Sequence, residues 1–159
     1  MQVRIIAVGK IRERYLADGI AEYVRRLKPY TRLTITEIED ERRLPDPSPA
    51  QQEQALSREG KKILAAVPDG SIAVALAIDG KPFSSEGLAA LLGKHEVGGK
   101  GTFAFIIGGD LGLSREVLER CDLRLSLSPM TFTHPMARLI LLEQVYRAFR
   151  ILRGEPYHK

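Results

Sequence analysis

Apolar positions along this chain switch between two periods. Val3 to Val8 is a nearly unbroken apolar run closed by Gly9, which predicts a buried strand. From Tyr15 onward, Leu16, Ile20, Tyr23, Val24 and Leu27 recur at helical spacing until Pro29 halts them. Leu33 to Ile38 alternates and is β-branched, so it predicts a second strand. Leu44 to Pro49, with its prolines, predicts a loop; Ala50 to Val67 predicts a helix and Pro68-Asp69-Gly70 a turn. Ile72 to Ile78 reads as a third strand ended by Asp79-Gly80, and Ser84-Ser85-Glu86 opens a helix reaching Glu96. Gly98-Gly99-Lys100-Gly101 reads as a turn before a fourth strand, Thr102 to Ile107. Ser114 to Arg120 predicts a short helix, Leu123 to Leu127 a fifth strand, and His134 to Arg153 a long closing helix.

Strands that are apolar throughout and alternate with helices predict an α/β fold, a mostly parallel sheet with helices on both faces. No repeat, low-complexity tract or linker interrupts residues 1–159, so one domain is expected. Open sheets of this kind bind ligands beyond the carboxyl ends of their strands. Three such ends stand out: Ile78-Asp79-Gly80, Ile107-Gly108-Gly109 and Leu127-Ser128-Pro129. The closing helix is apolar round most of its circumference. Leu139, Leu142, Tyr146 and Phe149 form one stripe, Leu141, Val145, Ala148 and Leu152 the next, and Glu143, Arg147 and Arg150 a polar edge. A helix so widely apolar needs cover on two sides, and a subunit interface is the expected second cover.

Composition narrows the class. With 159 residues, 44% hydrophobic and 28% charged, the chain can bury a core without disulfides or metals. No run approaches the ~18–20 apolar residues of a membrane span, and Met1 to Val8 is too short for a signal peptide. A cytoplasmic location is expected. The lone Cys121 excludes an internal disulfide and reads as a small core filler. His95, His134 and His158 lack metal-ligand spacing, so no metal is expected. A net charge of +4 and a pI of about 9.3 are only mildly basic. The surplus lies at the two ends of the chain, while Glu37, Glu39, Asp40, Glu41 and Asp46 make the middle acidic. If the ends meet in space they form either a basic surface for RNA or a solvated face.

The candidate chemistry sits in the last third. Gly98-Gly99-Lys100-Gly101 fails as a phosphate loop, because Lys94 stands where the first glycine is needed and Gly101 where Ser or Thr is needed. No G-x-G-x-x-G follows the first strand. Gly108-Gly109-Asp110-Leu111-Gly112 follows an apolar strand and either makes a tight turn or lets a ligand approach the backbone. Leu127 to Thr133, stiffened by Pro129 and followed by Pro135, is a second irregular segment at the neighbouring strand end. Two such loops with free amides suit an adenine and a ribose. His134, opening the closing helix, is either a cap residue or a proton acceptor.

Several segments in order now define a resemblance. They are Val8-Gly9-Lys10, Ile78-Asp79-Gly80-Lys81, Ile107-Gly108-Gly109, Ser128-Pro129-Met130-Thr131-Phe132-Thr133-His134-Pro135, Glu143 to Ala148 and Pro156-Tyr157-His158-Lys159. Over essentially the whole chain they resemble the ribosomal RNA large-subunit methyltransferase H family of the SPOUT superfamily. The resemblance implies one SPOUT-type methyltransferase domain with a C-terminal trefoil knot, a feature that periodicity cannot supply. It also implies a homodimer that uses S-adenosyl-L-methionine to methylate N3 of a pseudouridine in a 23S rRNA stem-loop near the decoding centre.

On matching positions the resemblance places Leu76, Gly108, Leu127, Ser128, Pro129, Met130, Thr131 and Phe132 around the cofactor. It brings Tyr157 and His158 of one subunit to the pocket of the other. For the reaction it implies, His134 or His158 is expected to take the imide proton or bond the uracil edge, while Lys10, Arg12 or Arg138 holds phosphate or a developing oxyanion. So small a basic surface points to the assembled ribosome rather than naked RNA as substrate. The rival readings are a transfer-RNA methyltransferase of the same superfamily, a non-catalytic ribosome-associated RNA-binding protein, and a small-molecule nucleotide enzyme.

Overall fold

The computed structural model describes residues 1–41, 44–97 and 101–157. Along them run β1 (Gln2–Val8), α1 (Arg14–Leu27), β2 (Arg32–Ile38), α2 (Pro49–Ala66), β3 (Ile72–Pro82), α3 (Ser85–Glu96), β4 (Thr102–Ile107), α4 (Arg115–Arg120), β5 (Leu123–Ser126) and α5 (His134–Leu152). The strands form one sheet in the order β2-β1-β4-β3-β5, and every pairing is parallel. Most of the predicted turn at 98–101 lies outside the described residues.

The unbroken apolar strands follow from burial on both sides. Val3, Ile5, Ala7, Phe103, Phe105 and Ile107 face a core shared with α1, α3 and α5. Ile6, Val8, Ala104 and Ile106 face a second core, closed by Ile63 of α2 and Val117 of α4. Successive residues of a strand point to opposite faces, so a strand buried on both sides must be apolar at every position. α5 lies between α1 and α3 on the first face. A β-carbon on Gly19 would sit 3.1 Å from Leu139, and one on Gly93 would sit 2.7 Å from Leu152, so bare glycines allow this approach.

Both apolar stripes of α5 are therefore met within the chain: Leu141, Leu142, Val145, Ala148 and Phe149 are all fully buried. The width of that surface needs no second subunit, contrary to the expectation drawn from its periodicity. The ends of the chain do meet along α1 and α5, but mostly as an ion-paired aromatic seam. Arg25 and Arg26 pair with Glu22, Arg147 with Glu143, and Arg150 with Glu155, beside the rings of Tyr23, Tyr30 and Tyr146. These cations are largely answered by carboxylates.

Two boundaries differ from the sequence reading. Pro49 begins α2 rather than ending the loop, because the first helical turn needs no amide hydrogen there and Ser48 with Gln51 forms a capping box. β3 does not stop at Ile78. It pairs Leu76 with Leu125, slips, and resumes with Lys81 on Leu125 and Pro82 on Ser126. Residues 77–80 thus leave the ladder, which resumes at Lys81; a β-carbon on Gly80 would lie 2.8 Å from the Arg124 carbonyl carbon. Leu142 tests the α5 packing: Leu142→Ala should lower the unfolding free energy by about 2–5 kcal/mol in urea titrations.

Candidate functional site

A cavity of about 650 Å³ opens beyond the carboxyl ends of β3, β4 and β5. The displaced segment of β3 supplies Ala77, Ile78 and Asp79, the loop after β4 supplies residues 108–113, and the segment after β5 supplies most of the remainder. Of the residues singled out from the sequence, Leu76, Gly108, Leu127, Ser128, Met130, Thr131 and Phe132 line it; Pro129 does not. The β4 loop is tight. Gly112 donates to the Gly109 carbonyl at 3.0 Å, and a β-carbon on Gly108 would lie 2.5 Å from the Gly112 carbonyl oxygen. In the other loop, the Ser126 hydroxyl donates to the Ser128 carbonyl and the Ser128 hydroxyl accepts from the Met130 amide. Ile78, Leu111, Met130 and Phe132 leave an exposed apolar rim.

A second cavity, of about 970 Å³, lies beside the first, between α2 and the ends of β1 and β2. The two share Asp110, Leu111 and His134, so the imidazole stands in the wall between them. Its seat is Gly9, at φ +92°, where a β-carbon would lie 2.9 Å from His134 Cε1 and 3.0 Å from an Asp40 carboxylate oxygen. Asp40 also approaches Gly109, whose β-carbon would come within 3.4 Å of it. His134 Nδ1 is buried and has no hydrogen-bond partner among the described residues.

Arg138 is not a phosphate ligand in this arrangement. It is 2% exposed, donating to Glu37 at 2.7 Å and to the Gly9 carbonyl at 3.0 Å. Burial and pairing make it a brace for the turn beneath His134. Lys10 and Arg12 are exposed or nearly so beside the second cavity, and neither has an acidic partner among the described residues.

Tyr157 lies away from both cavities. Its hydroxyl donates to Glu143 at 3.1 Å and lies 3.3 Å from that of Tyr23, and its ring packs edge-on against Tyr146. Burial first, and then the bond to Tyr23, raise its phenol so that it stays protonated. Tyr146 and His134 stand on the same helix about 18 Å apart along its axis. The tail of a chain thus lies far from its own His134. His158 lies outside the described residues.

Sequence reasoning missed Asp40 and Glu59, which read only as part of an acidic stretch and a helix face. Glu59 is 5% exposed, accepts the Glu41 amide, and has its carboxyl raised by burial. Cys121 is partly buried against the second core, as a filler would be, and burial pushes its thiol up to about 11. Among the described residues no cluster of His, Cys, Asp and Glu is placed to hold a metal ion.

Two outcomes follow from this geometry. Gly9→Ala should cost about 1–2 kcal/mol for the left-handed backbone alone and displace the imidazole, read as a shifted His134 resonance in NMR spectra. A carboxyl raised in the folded state binds more protons there than when unfolded, so its contribution to stability falls as pH rises above the ordinary carboxyl range. Glu59→Gln keeps an acceptor for the Glu41 amide and removes that loss. The variant should gain melting temperature relative to the parent at pH 8 and not at pH 4.

Comparison with known proteins places these loops in a family. The family described as "Predicted SPOUT methyltransferase" matches residues 1–158. The ribosomal RNA large subunit methyltransferase H of Carboxydothermus hydrogenoformans is 53% identical over 159 residues, covering 100% of both chains. Its namesake from Halothermothrix orenii is 52% identical over the same 159 residues, again 100% of both. A solved protein from Legionella pneumophila, in complex with bound SAM, shares the fold with a TM-score of 0.51 at 13% identity. That likeness covers 93% of this chain and 66% of that one.

Proposed function

We propose that this chain, which belongs to the SPOUT methyltransferases and among them to the ribosomal RNA large subunit methyltransferase H family, methylates 23S rRNA. The donor is S-adenosyl-L-methionine and the acceptor N3 of a pseudouridine, with residues 1–159 working as one domain in a cytoplasmic homodimer. Among the described residues no helix is long and apolar enough to cross a membrane. The observation that carries the reading is the cavity walled by the irregular loops after β4 and β5, the two strands that flank β3, with His134 at its edge.

That cavity suits the donor. Its volume falls within the range of small-molecule sites. Leu76, Leu127 and Phe132 offer apolar faces to an adenine, while the tight loops expose main-chain groups for its edge and the ribose. Asp79 and Asp110 in the lining suit a cationic sulfonium. When bound, the donor supplies an electrophilic methyl group, so the protein's task is mainly alignment. His134, on the boundary of the cavity, takes the imide proton or bonds the uracil edge. Lys10 and Arg12 hold phosphate, and Arg138 sets the turn on which His134 rests.

The tail supports a shared site. Since Tyr157 packs far along α5 from its own His134, Tyr157 and His158 serve the pocket of a second copy. The knot expected of the family belongs to the segment from β4 to α5, whose two loops enclose the cavity.

Calorimetric titration with S-adenosyl-L-methionine should give one saturable site per chain, and large ribosomal particles lacking the modification should become methylated. His134→Ala should lower the single-turnover rate by about 10²–10⁴-fold with donor affinity kept. Mixing that variant with Tyr157→Ala should regain activity if tail and pocket come from different chains. Absence of donor binding by the parent protein would end the reading.

A further inference from the structure

We propose that the second cavity, between α2 and His134, is the seat of the acceptor nucleotide, holding its imide base inside and its phosphate at the mouth. This rests on the methyltransferase reading above, which requires two ligands to meet at one point. Among the described residues, the linings of the two cavities share His134, Asp110 and Leu111. A donor in one and an acceptor in the other would therefore meet beside the imidazole. The volume of about 970 Å³ admits a nucleotide with its sugar and phosphate rather than a base alone.

The lining chemistry matches an imide. Such a base presents one N–H between two carbonyl oxygens, so it needs an acceptor flanked by donors. Asp40 supplies the acceptor beside His134. The side-chain amides of Gln52 and Gln54 also line the cavity and are exposed, with no partner among the described residues. Gln51 has its oxygen committed to the Ser48 amide, which leaves its NH₂ group to donate.

Besides Asp40, the carboxylates of Glu13, Glu41, Glu59 and Asp110 line the cavity. Glu41 is paired with Arg58 and Lys62, and Glu59 is buried against the Glu41 amide. Lys10 and Arg12 remain for the phosphate. A further sign is His134 Nδ1, buried without a partner; native proteins seldom leave such an atom unanswered unless a ligand or water completes it.

Ala55 lines this cavity and is absent from the lining of the first, so Ala55→Trp fills the space without touching the donor's walls. On large ribosomal particles lacking the modification, the variant should lose about 100-fold in kcat/KM. Its calorimetric affinity for S-adenosyl-L-methionine should equal that of the parent, which also shows that it folds. Unchanged kcat/KM would overturn the proposal. So would parallel loss of donor affinity in a folded variant, which would assign the cavity to the donor. Elution as a smaller species would do the same, by assigning α2 to contact between copies.

If Ala55→Trp does not fold, Lys10→Glu with Arg12→Glu decides. It should raise KM for particles and flatten the salt dependence by about 0.7–0.9 log units per lost phosphate contact; an unchanged KM and slope would overturn the proposal. A parent protein that binds no donor or leaves particles unmethylated would instead defeat the methyltransferase reading itself.

Discussion

A guanidinium taken out of water costs several kcal/mol unless its protons are answered. Arg138, 2% exposed, answers it through its two terminal nitrogens, which donate to Glu37 of β2 and to the carbonyl of Gly9 just after β1, while its Nε has no partner among the described residues. Those partners come from parts of the chain about a hundred residues away from Arg138, so satisfying this one side chain fixes the start of α5 against the ends of β1 and β2. His134, one turn earlier on the same helix, is thereby set down on Gly9. The glycine lacks the β-carbon that would push the ring away, and its positive φ aims its carbonyl at the guanidinium. The lining of the two cavities and the core packing are joined through this pair of residues.

That joint lies where the sheet changes direction. β1 and β4 are neighbours, and the loops that leave them diverge toward different faces, the usual place for a ligand in an open parallel sheet. Here the divergence makes two cavities rather than one, with an imidazole in their common wall. Tyr157 lines neither cavity of its own chain. Held by Tyr23, Glu143 and the ring of Tyr146, Tyr157 packs against α5 where the helix has risen about 18 Å from His134.

Much of the fold was legible because its signals are local. β1 and β4 agree with the apolar runs to within a residue, since strands buried on both faces leave no polar interruption to blur their ends, and β2, at the sheet edge, agrees through its alternation. The third strand was misjudged because Asp79-Gly80 reads as a terminator. Its glycine instead lets the chain pass close to Arg124 and rejoin the ladder, a relation to β5 that no window around residue 79 contains. The Gly108 and Ser128 loops were legible from glycine, serine and proline at strand ends. Arg138 was read as a holder of phosphate or a developing oxyanion because its neighbours on α5 give no hint that a carboxylate at 37 and a carbonyl at 9 await it. Asp40 and Glu59 were missed for the same reason.

Period, turn chemistry and composition alone determined the α/β class, the order of the elements and the two loops at the cofactor-sized cavity, because each depends on residues within a few positions of one another. Tertiary structure decided that Arg138 is a brace, that His134 lines two cavities at once and that Tyr157 packs away from both. Those outcomes depend on which distant groups become buried together, and burial is what makes an unanswered charge or polar atom costly.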